Sequence, residues 1–276
     1  MILRKIIFVQ KMKYLNYLVY VGSVVIRSGE TVDIYELNEI SDVNVLREWA
    51  DHFRQNYCSD TLLDVLRAGY GLSRKDYLNT YKFPSDRLGF GPGTRSGDFA
   101  ELLISDYLEF VHHYYVPKDR YELRFNPNTS SQGTDVIGLK VNMGNSRQDD
   151  EMIVFEVKCQ ASAGKPENRL CDAITDSVKD PVRKGETLNA IRQRAIESNH
   201  TEKADLIMRF QNEVEDPYIM SYGVAAIFDS AVYREELVKA CEVPITHPSG
   251  INSLIIIKKE KLMGLIHSLY EMAADC

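Results

Sequence analysis

Hydrophobic and polar positions follow two distinct periods along the chain, and the switches between them mark the elements. Apolar runs over residues 2–10 and 14–27, rich in valine, isoleucine and tyrosine, predict a pair of strands closed by the turn-like Arg27-Ser28-Gly29-Glu30. A helix period follows over 40–58, with Asp42 placed to cap it and Val43, Leu46, Trp49, Ala50 and Phe53 on one face. Helical spacing continues over 59–70 and 71–84. Residues 84–98 then hold two prolines and four glycines, which predicts a boundary between an N-terminal α+β region, 1–92, and a second region, 93–276.

The second region opens with an amphipathic helix over 97–113 and continues with strand-like runs at 121–125, 134–141 and 152–160. A long polar helical stretch, broken near Pro181, leads to 219–230, whose small apolar residues suit a strand buried on both faces. Helix, strand and helix close the chain over 231–241, 252–259 and 260–274. Strands in succession, then a helical crossover, then another strand predict an α/β fold, a mixed sheet flanked by helices.

Composition narrows the class. Of 276 residues, 44% are hydrophobic and 26% charged, ordinary for a globular chain. The net charge of −7 argues against a protein that coats nucleic acid by charge alone, so such contact needs a local basic patch or a partner. Five cysteines without a CxxC pair read as reduced thiols of a cytoplasmic protein. Residues 12–29 imitate a short signal peptide, but their tyrosines, valines and Asn16 favour strands, and no run reaches the length of a membrane-spanning helix.

Candidate chemistry gathers in the second region. Gly133 permits an awkward turn, Asp135 opens an apolar strand, and 21 residues on Glu156 and Lys158 share one face of the next strand. Paired strands lie about 4.8 Å apart, so the two carboxylates would repel unless a cation stood between them. Mg²⁺, with Mn²⁺ as an acceptable substitute, is the hard ion that suits oxygen ligands and activates water. Glu101, on the stripe of Ile104 and Leu108, is a third candidate ligand, and Lys158 could orient the water or steady a phosphate. Asp98 and Asp106 of the same helix have simpler expectations, the first at the helix dipole and the second toward solvent.

Weaker candidates surround these. Gln160 shares the face of Glu156 and Lys158, and Arg95 lies in the glycine-rich segment; either could touch a phosphate. Arg183, Lys184, Arg192 and Arg194 form the richest basic cluster, read as a solvated helix with backbone-phosphate contact as the rival. His112 and His113 suit a helix end better than a metal site, and Cys159 faces away from Lys158. No hydrolase elbow, phosphate-binding loop or dinucleotide fingerprint occurs.

Gly133-Thr134-Asp135, then Phe155-Glu156-Val157-Lys158, preceded by a helix carrying Glu101, resembles the PD-(D/E)xK nuclease superfamily. Gly133 and Thr134 stand where the nominal motif has its proline. The resemblance implies a restriction-endonuclease-like αβββαβ core, with Asp135, Glu156 and Glu101 at a metal, Lys158 at the attacking water, and a 5′-phosphate product. More narrowly, these motifs and the N-terminal extension resemble the HamA nucleases of the bacterial Hachiman anti-phage system. That likeness implies DNA as substrate and a helicase partner of the HamB kind. A non-catalytic regulatory subunit and a stand-alone restriction or repair nuclease are the alternatives.

Overall fold

A computed structural model describes residues 11–130, 132–142, 147–247 and 250–276. The strand expected at 2–10 lies outside the described residues. Residues 13–17 form a 3₁₀ turn, so the strand expected over 14–27 narrows to β1, Leu18–Val25. Its partner β2, Thr31–Leu37, was hidden in the sequence by its acids, although Val32, Ile34 and Leu37 are buried. Helix α1, Val43–Gln55, starts at Asp42 as expected, whose carboxylate accepts from Asn44 N at 2.8 Å. Helix α2 is Asp60–Ala68, and a short helical turn covers Arg74–Tyr77.

The glycine-rich segment does not end before the next helix. Helix α3 runs Gly91–Phe110, six residues earlier than its expected start and three short of its expected end. Pro92 sits in its first turn, where a missing N–H costs nothing. The expected strand at 121–125 is also absent: Asp119–Glu122 is a helical turn. Strand geometry would send Arg120 and Tyr121 to opposite faces, whereas the turn brings both toward Glu101. Beside Leu139 there is instead one isolated bridge, upstream of the expected strand, where Tyr115 exchanges backbone hydrogen bonds of 2.7 and 2.8 Å with that residue.

Strand β3, Val136–Lys140, and β4, Glu151–Gln160, are antiparallel neighbours. Helices α4, Arg169–Ser177, α5, Asp180–Glu197, and α6, Thr201–Arg209, carry the chain across the sheet, with the expected break just before Pro181. Strand β5, Ile219–Asp229, follows, then a turn of helix at Glu235–Lys239, strand β6, Ser253–Lys259, and helix α7, Leu262–Ala274.

These strands form a mixed six-stranded sheet in the order β1-β2-β6-β5-β4-β3. The four inner strands run parallel and the outer pairs are antiparallel. It is a restriction-endonuclease-like α/β fold, with β5 buried centrally as its composition requires. Gly223 in β5 makes room for Phe155 of β4, since a Cβ there would meet the ring at 2.4 Å. On one face Phe155 and Val157 join Phe99, Leu103, Trp49 and Tyr270 in the main core; on the other, Met152 and Val154 pack against Leu188, Ile191 and Ile207. Cys171 and Cys241 form a disulfide, which corrects the reading of all five cysteines as reduced thiols. Seventy residues separate them, and their Cα atoms stand 5.3 Å apart because α4 packs beside the turn that follows Glu235–Lys239.

Candidate active site

Register builds the site. Val136 pairs with Phe155, and one more step along the same ladder sets Asp135 opposite Glu156. Asp135 Oδ2 accepts from Val157 N at 2.9 Å, fixing its side chain across the strand. Gly133 adopts φ +104°, and a Cβ there would lie 2.5 Å from Thr187 Oγ1, so the turn before Asp135 is closed to other residues. The Thr187 hydroxyl of α5 accepts from Thr134 N at 3.0 Å. Arg120 donates to the carbonyls of Thr134 and Asp135 at 2.9 and 2.7 Å.

Pleating places Glu156 and Lys158 on one face as expected, and they bond to each other at 2.7 Å. Glu156 is buried and also accepts from Arg183 at 3.1 Å. Lys158 extends on to Asp176 at 2.9 Å, which in turn holds Lys179 at 2.6 Å. Glu101 approaches from the α3 layer instead. It accepts from Tyr121 OH at 2.8 Å and stands 3.5 Å from Arg120, which is 3.9 Å from Asp135. The structure thus joins Asp135 to Glu156 through the sheet and to Glu101 through Arg120.

The electrostatics follow from burial and crowding. Burial, then the charge of Glu101, pushes Asp135 up to about 6. Burial followed by the Asp135 charge raises Glu156. Asp180, wholly buried at the start of α5, is pushed up to about 7 by desolvation, then by Glu156 and Asp135. Burial opposes the Lys158 charge, but the bonds to Glu156 and Asp176 outweigh it and hold the ammonium above the ordinary lysine range. A cleft of about 940 Å³ opens on Glu101, Asp135, Glu156 and Lys158, rimmed by Lys165, Lys179 and Arg183. A second cavity of about 520 Å³, lined by Arg194, meets it at Asp135 and Gly133.

The remaining candidates fall elsewhere. Gln160 lines the cleft, but its amide is engaged at both ends, donating to Lys165 O at 2.9 Å and accepting from Glu167 N at 3.0 Å. Arg95 is buried away from the carboxylates, donating to Pro84 O at 2.6 Å with its guanidinium 4.4 Å over Tyr270. Of the basic cluster, Arg183 turns to Glu156 whereas Lys184 and Arg192 bond to Glu213 and Gln211. Asp98 and Asp106 are buried rather than exposed or merely capping: Arg124 clamps Asp98 through two 2.7 Å bonds, and Tyr14, His52 and Lys118 surround Asp106. Burial raises the Cys159 thiol to about 12, in keeping with packing rather than reactivity. Sequence reasoning missed Arg120, Tyr121, Asp176 and Asp180. Only Asp180 left a signal, its i, i+3 and i+7 spacing to Arg183 and Thr187.

Hard oxygen donors around a shared space suit a divalent cation, and the upward shifts of Asp135, Glu156 and Asp180 mark an excess of negative charge. Among the described residues, no three His, Cys, Asp or Glu side chains stand grouped in ligand geometry, and Glu156 bonds to Lys158 and Arg183 instead. A cation would take over part of that pairing.

The sheet and its carboxylate–lysine pair define a restriction-endonuclease-like protein. The HamA family model matches residues 13–273, nearly the whole chain, and the chain belongs to the HamA family. None of the curated proteins matches it.

Proposed function

We propose that the chain is a Mg²⁺-dependent DNA endonuclease that acts in bacterial anti-phage defence beside a helicase partner. The observation that carries this reading is the convergence of Asp135 and Glu156 on one sheet face, with Lys158 bonded beside them at an open cleft. Asp135 and Glu156 would hold the cation, with Glu101 behind Asp135. A divalent cation there supplies a water of lowered pKa and offsets charge on a phosphate. Lys158, kept charged by Asp176, orients that water, and Lys179 and Arg183 at the rim meet the DNA backbone. A helicase partner supplies the grip on DNA that a chain of net charge −7 lacks.

Replacing Glu156 and Lys158 together by alanine is expected to abolish Mg²⁺-dependent cleavage while leaving the circular-dichroism spectrum unchanged. Cleavage at the native rate by the folded double variant would sink the proposal. One observation favours a second reading, a non-catalytic regulatory module: Lys158 and Arg183 already neutralise Glu156 without a metal. Such a module would bind no Mg²⁺ at this site in a calorimetric titration.

A further inference from the structure

The first turn of α5 places an acid that the catalytic reading has not used. Asp180 is 0% exposed, and it alone among the described acidic residues has both carboxylate oxygens buried without a hydrogen-bond partner. The Thr134 hydroxyl lies close enough to ease its charge, yet neither group completes a hydrogen bond. An isolated buried carboxylate is costly unless something positive meets it.

Helical periodicity fixes where Asp180 points. Residues 180, 183 and 187 share a stripe of α5. Arg183 on that stripe reaches Glu156 at 3.1 Å, and Thr187 receives the backbone N–H of Thr134 at 3.0 Å. Asp180 therefore faces the sheet between Glu156 and the turn that carries Asp135. Arg183 directs its guanidinium to Glu156, so the nearest cation leaves Asp180 without a bond. The helix start favours an acid, but an asparagine would serve the helix and Thr134 equally well without a buried charge.

We infer that Asp180 is a further carboxylate of the cation site, meeting the metal from the α5 side while Asp135 and Glu156 meet it from the sheet. The inference rests on the proposed metal-dependent function. Mn²⁺ binding, measured by calorimetry on the full chain, tests it with three variants. Asp180→Asn is expected to keep the metal-free melting temperature and to weaken Mn²⁺ binding by about 10-fold or more, as a lost partner at a metal site does. Glu156→Gln is expected to weaken it likewise. Thr134→Val, which keeps the Asp180 carboxylate, is expected to bind Mn²⁺ as the wild type does.

Wild-type affinity in Asp180→Asn with loss in Glu156→Gln overturns the inference alone. Wild-type affinity in both overturns the metal-site reading itself. Loss in Thr134→Val equal to that in Asp180→Asn reduces Asp180 to a group that merely orients the strand start, and the inference fails. Should Asp180→Asn not fold, Fe²⁺-directed backbone cleavage of the wild-type chain decides the matter. Scission around residue 180 in addition to 135 and 156 is expected, and its absence at 180 overturns the assignment.

Discussion

Gly133 shows how one residue without a side chain fixes the geometry of the candidate site. Its positive φ and the Thr187 hydroxyl 2.5 Å from any added Cβ leave alanine no relaxed place. Gly133→Ala is expected to cost about 1–3 kcal/mol in urea unfolding and to displace Asp135, lowering cleavage more than the stability loss alone explains. Unchanged stability would show that the turn is not constrained. The shared face of Glu156 and Lys158 was legible in the sequence because strand alternation assigns a face without tertiary information, whereas the position of Asp135 opposite Glu156 needed the register of two strands. Gln160 and Arg95 were not legible, since their partners, the 165–167 loop and Pro84, are set by loop conformation. Tyr121 was lost inside the expected strand 121–125 and Arg120 just ahead of it, because both belong to a helical turn, Asp119–Glu122.

At the scale of elements, α3 is fastened at two buried acids. Asp106 gathers Tyr14 at 2.6 Å, His52 of α1 at 2.9 Å and Lys118 at 2.6 Å, tying the N-terminal turn and α1 to α3 and the segment after it. Burial opposes its ionisation, but His52 and Lys118 outweigh that and hold its pKa below the ordinary 3.8. Because the folded value lies below the unfolded one, this stabilisation is present above pH 3.8 and is lost as the pH falls further. Asp106→Asn is expected to cost about 3 kcal/mol near neutral pH, toward the low end for a broken buried pair because Glu109 still holds Lys118 at 2.7 Å. Urea unfolding at neutral and strongly acidic pH checks it; a penalty that does not shrink in acid would contradict the ion-pair account. Asp106 misled the sequence reading because its amphipathic stripe looked one-sided. Helix α3 is buried on nearly every side, and its polar residues need internal partners.

The whole molecule is organised around a sheet whose edge strands β1 and β3 and central strand β5 were legible as apolar runs, whereas β2, the inner neighbour of β1, was not. Strand β2 was masked by Asp33 and Glu36, and the disulfide joins cysteines too distant in sequence to pair by inspection. The charge balance, 33 basic against 40 acidic residues, also belongs to this scale. The isolated chain is expected to bind a short DNA duplex weakly at near-physiological salt, with affinity rising steeply as salt is lowered, as fluorescence anisotropy would show. Tight, salt-insensitive binding by the chain alone would remove the need for a partner's grip.

Everything proposed for the cleft depends on a divalent cation between the two strands. Anomalous diffraction from a crystal soaked in Mn²⁺ locates such an ion without reference to activity. The expected result is a single strong peak within ligand distance of Asp135 and Glu156, with Lys158 turned from Glu156 toward Asp176. A fully soaked crystal with no peak there, and Glu156 still bonded to Lys158 and Arg183, would contradict it.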